Sequence, residues 1–209
     1  MSGLSVEIRA KRFGGDAVLG ALAFDVAPGE TVAILGPSGA GKSTLLRIAA
    51  GIDTEFEGRA TRPDRMAIVL QEPTLLPWRS AAANLTIVHP GLGRAGAEDM
   101  LARVGLAGRG DAFPGQLSLG QQRRLALARA FAGGPGGLVL DEPFVSLDAA
   151  TAEAMLALTE RLIAEVRPAT LLVTHAEAEA ARLADRVLRL GGRPATLTPA
   201  APAAKDGPR

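Results

Sequence analysis

The stretch Gly36–Thr44, GPSGAGKST, constrains this chain more than any other. It satisfies the pattern G-x-x-x-x-G-K-[ST] and follows directly on the β-branched apolar run Thr31–Leu35 (TVAIL). It opens a helical pattern at Ser43–Ala50, which Gly51 stops. A strand that turns through glycines into a helix N-terminus makes a phosphate cradle. Backbone N–H groups turn inward, and the helix contributes the positive end of its dipole. In such a cradle Gly36, Pro37, Ser38, Gly39, Ala40 and Gly41 wrap the phosphates and Thr44 continues the first turn. Lys42 reaches the β and γ phosphates of a nucleotide, and the Ser43 hydroxyl is placed to hold Mg²⁺. Lysine is rare here, with three against 20 arginines, so its appearance at this position carries weight.

The rest of the composition sets outer bounds. With 209 residues, 47% hydrophobic and 22% charged, the chain can bury a core of one large domain or two small lobes. No apolar run approaches the length a membrane helix needs, and MSGLSVEIRAKRF reads as a charged strand rather than a signal peptide. A net charge of +1 gives no electrostatic case for nucleic acid as a partner. The absence of cysteine excludes disulfides and thiolate metal sites. These features set the expectation of a soluble cytoplasmic protein.

Periodicity organises the chain into an α/β body interrupted by a helical stretch. Leu4–Arg9 and Leu22–Val26 alternate as half-buried strands, Pro28-Gly29-Glu30 reads as a turn, and Met66–Leu70 reads as a buried strand. Residues 72–134 lack a good strand run; Glu98–Val104 and Gly120–Ala132 are the clearest helices there, while Leu85–Val88 is too short to decide. Beyond the break Gly133–Gly137, strands at Leu138–Leu140, Thr170–Val173 and Arg186–Leu190 alternate with helices at Ala149–Val166 and Ala176–Ala184. Strand–helix alternation predicts a parallel sheet with crossover helices. The expectation is one domain over 1–190, with a helical subdomain over about 72–134. A loose tail, rich in Ala, Pro and Gly, is expected over 191–209.

A second chemical motif is Leu138–Pro143, LVLDEP. An apolar strand ending in Asp141 delivers a carboxylate to the sheet edge beside the phosphate loop, where it can hold Mg²⁺; Glu142 follows, placed to polarise an attacking water. Two solvated acids at a strand end are the plain alternative.

Four further motifs narrow the choice among kinases, GTPases and ATPases. Leu117–Arg124 reads LSLGQQRR and runs into the apolar helix LALARAF; Gln71 follows the strand MAIVL; Ser146-Leu147-Asp148 follows LVLDEP; His175 follows TLLVT. Together these resemble, in order, the signature motif, Q-loop, D-loop and switch histidine of the ATP-binding cassette (ABC) proteins, over about residues 4–190. The resemblance implies the ABC type of P-loop NTPase fold: a mostly parallel sheet, a small antiparallel β part and a helical subdomain insertion. It implies ATP and Mg²⁺ as ligands, Phe13 stacked on adenine, and Ser43, Gln71 and Asp141 at the metal. Glu142, His175 and Gln71 fall on catalytic positions. Ser118, Gly120, Gln121 and Asp148 fall on positions that touch ATP across a head-to-tail pair of cassettes. Bland alternatives stand beside these: Phe13 as core, His175 as a surface histidine, Asp148 as a helix cap.

Departures from the family pattern are Leu119 in place of the common Gly, Phe13 in place of Tyr, and a short Glu57–Arg65 segment that predicts a reduced antiparallel part. QEPTLLPWRSAAAN, residues Gln71–Asn84, looks like the version found in the nitrate, sulfonate and taurine importers. There it implies contact with an integral membrane permease, a solute-binding protein in the complete transporter, and a peripheral place on the cytoplasmic face of the inner membrane. Trp78 is the lone tryptophan, either an interface anchor or core of the helical lobe. A soluble, non-transport ABC ATPase and a P-loop small-molecule kinase are the competing functional classes.

Overall fold

The computed structural model describes residues 3–199. In chain order, β1 (Leu4–Phe13), β2 (Asp16–Leu19), β3 (Leu22–Val26) and β4 (Thr31–Leu35) lead into α1 (Lys42–Ala50). Then come β5 (Glu57–Thr61) and β6 (Met66–Val69), followed by α2 (Ala81–Thr86), α3 (Gly93–Arg103) and α4 (Leu119–Phe131). The chain closes with β7 (Gly137–Asp141), α5 (Ala149–Val166), β8 (Ala169–Thr174), α6 (Glu177–Leu183), β9 (Arg186–Gly192) and β10 (Ala195–Pro199).

Two compact units result. The first takes the chain up to Ile68, Gly136–Glu142, and the chain from Arg167 onward; the second takes Val69–Pro135 and Pro143–Val166. The first unit carries the sheet, in the order β3-β1-β2-β10-β9-β4-β8-β7-β6, with β5 paired to β1. Its centre is parallel: β4 pairs with β8 (Val32↔Leu171) and β9 (Val32↔Arg186), and β7 pairs with β8 (Val139↔Leu171). Every residue of β4 and of β8 is buried, as a parallel strand covered on both faces requires. The outer part is antiparallel, and β1 alternates buried and exposed from Leu4 to Ile8. Between β3 and β4, Glu30 N–H donates to the Ala27 carbonyl (3.0 Å) with Gly29 at φ 80°, the positive φ that a type II turn places after its proline.

In the second unit α2, α3 and α4 pack on one another and α5 on α4. Leu85, Leu101, Leu125, Leu127 and Leu162 supply buried apolar bulk. The helix at 149–166, read from sequence as part of the alternating body, belongs to this unit instead. It turns Met155, Leu158 and Leu162 inward. Alternation shows that a crossover helix exists but not which layer it covers.

Three further expectations change. The tail does not loosen at Gly191: β9 runs on to Gly192, and β10 pairs back along it from Ala195↔Gly192 to Pro199↔Leu188. Residues 200–209 lie outside the described part. The antiparallel portion, expected to be reduced, includes the unpredicted β2 and β5, both paired to β1. Of the undecided Leu85–Val88, Leu85 and Thr86 end α2 and the rest turns out of it; α2 begins at Ala81 under an N-cap from Ser80, whose Oγ accepts from Ala83 N–H.

Candidate functional site

In the first unit the parallel strands deliver their C-terminal ends, and the chemistry, to one sheet edge. β4 hands over to the glycine loop. Gly41, at φ 90°, is the N-cap of α1 and has no side chain to satisfy the first helical N–H groups; a Cβ there would lie 2.9 Å from Leu19 Cδ2. The helix therefore starts with amides available to an anion. Gly36 lies so close to β9 that a Cβ would sit 2.6 Å from the Leu190 carbonyl oxygen. Gly36→Ala is expected to lower Tm by about 2–8 °C through overpacking against backbone. A thermal melt unchanged from wild type would remove the close-approach argument.

Lys42 is buried, and its Nζ donates to the carbonyls of Gly36 (2.9 Å) and Pro37 (3.0 Å), folding the cation across the mouth of its own loop. It also lies 3.5 Å from Glu142 Oε1. Glu142 follows β7 at φ 44°, with its N–H donated to the Val173 carbonyl (2.9 Å). Its second oxygen meets His175 Nδ1 at 3.3 Å. Lys42, Glu142 and His175, far apart in sequence, thus form one chain of contacts. His175 is half exposed, free to turn toward a ligand. Asp141 ends β7 with a hydrogen bond to Ser43. Burial pushes its carboxyl above the usual range and Glu142 adds to this, while Lys42, Arg47 and the Ser43 hydroxyl oppose.

Nucleotide and metal fit this donor set. The described residues hold no cluster of three His, Cys, Asp or Glu side chains able to bind a metal alone. Ser43 and Asp141 are hard oxygen donors, too few without phosphate oxygens, which is how Mg²⁺ is usually held beside a nucleotide. Phe13, at the end of β1, is about half exposed and so is not a core residue.

The second unit carries the remaining sequence candidates. Ser118 caps α4 in a reciprocal box: its Oγ accepts from Gln121 N–H (3.3 Å) and Gln121 Oε1 accepts from Ser118 N–H (3.0 Å). The Gln121 side chain is thereby engaged locally. Gly120 lets α5 approach, since a Cβ would lie 3.1 Å from Thr151 Cγ2. Leu119 points to solvent. Asp148 caps α5 through Thr151 N–H (3.0 Å), which, with the Thr151 side chain first among the causes, holds its carboxyl below the usual range. Gln71 is exposed and lines an open groove of about 650 Å³ with Pro73, Leu75, Leu119, Gln122 and Ser146.

Comparison with known proteins decides the family. A family model described as ABC transporter matches residues 19–145. The chain belongs to the ABC transporter family. This ABC protein is 48% identical over 190 residues to the aliphatic sulfonates import ATP-binding protein SsuB 3 of Paraburkholderia xenovorans, covering 90% of the chain and 77% of the relative. It is 50% identical over 189 residues to SsuB 1 of Pseudomonas fluorescens, covering 89% and 73%. Among solved structures it resembles the ATP-binding cassette MJ0796, in a dimeric post-hydrolysis state bound to ADP and Pi. That match has a TM-score of 0.81 and 27% identity, covering 96% of this chain and 98% of that one. The fold is therefore that of an ABC ATPase, and the chain is an ATP-hydrolysing enzyme. The small-molecule kinase reading is set aside.

Several supporting residues of the ABC protein escaped the sequence reading. Asn84 is fully buried and ties down the chain before it: its Oδ1 accepts from Leu76 N–H (2.8 Å) and its Nδ2 donates to Leu76, Arg79 and Ser80 carbonyls (3.2, 3.0 and 3.0 Å). From α4, Arg129 donates to the Thr74 and Pro73 carbonyls (2.9 and 3.2 Å), holding Thr74 at φ 43°. His89 meets the Arg129 carbonyl through Nε2 (2.8 Å). In the first unit, Thr174 donates to Glu179 (2.5 Å) and accepts from Ala176 N–H (3.0 Å), bracketing His175. A buried Asn or a half-buried Arg in a helical segment has no motif to announce it.

Proposed function

We propose that this ABC ATPase is the nucleotide-hydrolysing subunit of an importer for a small solute of the aliphatic sulfonate kind. The observation that carries the reading is its 46–50% identity to aliphatic sulfonate import ATP-binding proteins over most of the chain. No described helix is long and apolar enough to cross a membrane, and relatives named as import ATP-binding proteins support pairing with a membrane permease.

The geometry of the phosphate loop supports the following roles. ATP lies along Gly36–Thr44 with its base on Phe13. Lys42 exchanges its two carbonyl partners for phosphate oxygens. Ser43 and Asp141 would hold Mg²⁺, which supplies charge neutralisation at the β and γ phosphates, and for Gln71 the metal role is the one the family resemblance implies. Glu142 orients a water and takes its proton as the water oxygen bonds to the γ-phosphorus and the bond to the ADP oxygen breaks. His175, released from Glu142, donates to the γ-phosphate. Ser118, Gly120 and Gln121 of a second cassette, with its Asp148, close the site, a pairing supported by the dimeric relative. Leu119 leaves the backbone N–H at that position intact.

The permease contact is assigned to Gln71–Asn84, on the cytoplasmic side of the membrane. Trp78 is 69% exposed, which rules out a core role, and Arg79 beside it is exposed too. Asn84 and Arg129 fix the backbone beneath, so the indole is presented with little ordering cost on binding. A Trp78→Ala protein is expected to keep its intrinsic ATPase and a Tm within about 2 °C of wild type. It is also expected to lose co-purification with the permease. An ATPase assay and a thermal melt test the first expectation, and co-expression with a candidate membrane subunit tests the second. Wild-type protein that never copurifies with such a subunit would favour the soluble, non-transport ATPase.

A further inference from the structure

Lys11 sits in a place where lysine is costly. It is 2% exposed, on a strand whose other inward residues, Leu4, Val6 and Ile8, are apolar. Its presence there comes from an irregularity in the sheet. Against β5, Ile8 pairs with Gly58 and Ala10 with Glu57, so Arg9 is an extra residue on β1. Gly58 makes this possible: at φ 151°, a Cβ would lie 2.0 Å from the Glu7 carbonyl oxygen. The extra residue shifts the inward face from even to odd positions, as bulges do. Lys11 turns in, and Phe13, two residues on, shares its side.

The ammonium is then fixed by strong partners. It donates to Asp53 Oδ1 at 2.8 Å and to the Glu55 carbonyl at 2.6 Å. Asp53 also accepts from Glu55 N–H at 3.0 Å. Lys11 Nζ lies 4.6 Å from the centroid of the Phe13 ring. One face of Phe13 therefore rests on a cation that cannot move, and the ring keeps half its surface open. A cation on one face draws ring density toward itself, which favours stacking of an electron-rich purine on the other.

We propose that Lys11 is a positioning residue for the nucleotide base, holding Phe13 in the orientation that receives adenine. This rests on the reading of Phe13 as the stacking residue. Binding of Mg·ATP and of magnesium tripolyphosphate, which has no base, is measured by calorimetry on the full chain. Phe13→Ala should weaken ATP about tenfold and leave tripolyphosphate unchanged. Lys11→Met combined with Asp53→Asn, which leaves no stranded charge, should weaken ATP about three- to tenfold and leave tripolyphosphate unchanged. Added to Phe13→Ala, the pair should cost nothing more. Lys11→Gln, which keeps a donor for Asp53, serves if the pair does not fold. Wild-type ATP affinity in the Lys11 variants, or equal weakening of both ligands, would overturn the role of Lys11 while leaving Phe13 as stacking residue. An unchanged preference for ATP in Phe13→Ala would overturn the stacking reading and this inference with it.

Discussion

A Glu142→Gln protein is expected to bind ATP and hydrolyse it about 10²- to 10⁴-fold more slowly. The amide keeps the volume of the carboxylate but cannot take a proton from water. Mg²⁺ stays with Asp141 and Ser43, so affinity persists. The substitution also removes the negative partner that stands 3.5 Å from Lys42 and 3.3 Å from His175. Both groups are then freer to reach phosphate. ATP held without turnover, bridging Lys42 of one chain and Ser118 of another, should accumulate as a dimer on size-exclusion chromatography. Adding Ser118→Arg should abolish that dimer. Full ATPase activity in Glu142→Gln would remove it as the base. Slow hydrolysis with no dimer would count against closure through the Ser118 end of α4.

Lys42→Ala should raise the Kd for ATP about ten- to a hundredfold, the worth of a charge-assisted contact to phosphate. Lys42 is the sole cationic side chain within Gly36–Thr44, and its position is already set by the Gly36 and Pro37 carbonyls. Titration with a fluorescent nucleotide measures the loss. Near-normal affinity with near-normal hydrolysis would sink the assignment. The fold should survive, because the carbonyls left behind sit at a loop mouth that water can enter.

The parallel core was legible because its strands are short apolar runs ending in chemistry: TVAIL before the glycine loop, LVLDE, TLLVTH. Burial on both faces leaves a plain signal. The edges were not. β5 (EGRAT) has no buried residue among its five, and β2 is inward only at Leu19, so neither carries the alternation that reveals a strand. The β9–β10 hairpin hid behind Gly191, Gly192 and Pro194, residues that read as loose when their pairing partner is unknown. At the site, motif positions were readable because chemistry restricts them to few residue types. Lys11 and Arg129 act by hydrogen bonds to partners distant in sequence, and Asn84 and Glu179 by local ones that no motif displays. Lys11 further depends on a one-residue parity shift that no spacing rule displays.

The pairing of β4 bears on how the protein is made. Thr31 has Thr170 on one side, and Val32 has Arg186 on the other. A ribosome releases TVAIL long before either neighbour exists, whereas β3 can pair with β1 as soon as both emerge. For most of synthesis the strand that leads to the phosphate loop stands with both hydrogen-bonding edges open and apolar side chains uncovered. Such a strand invites pairing with other chains. The nucleotide-gripping strand is thus among the last to be sealed, and its second edge stays open until β9 has left the tunnel.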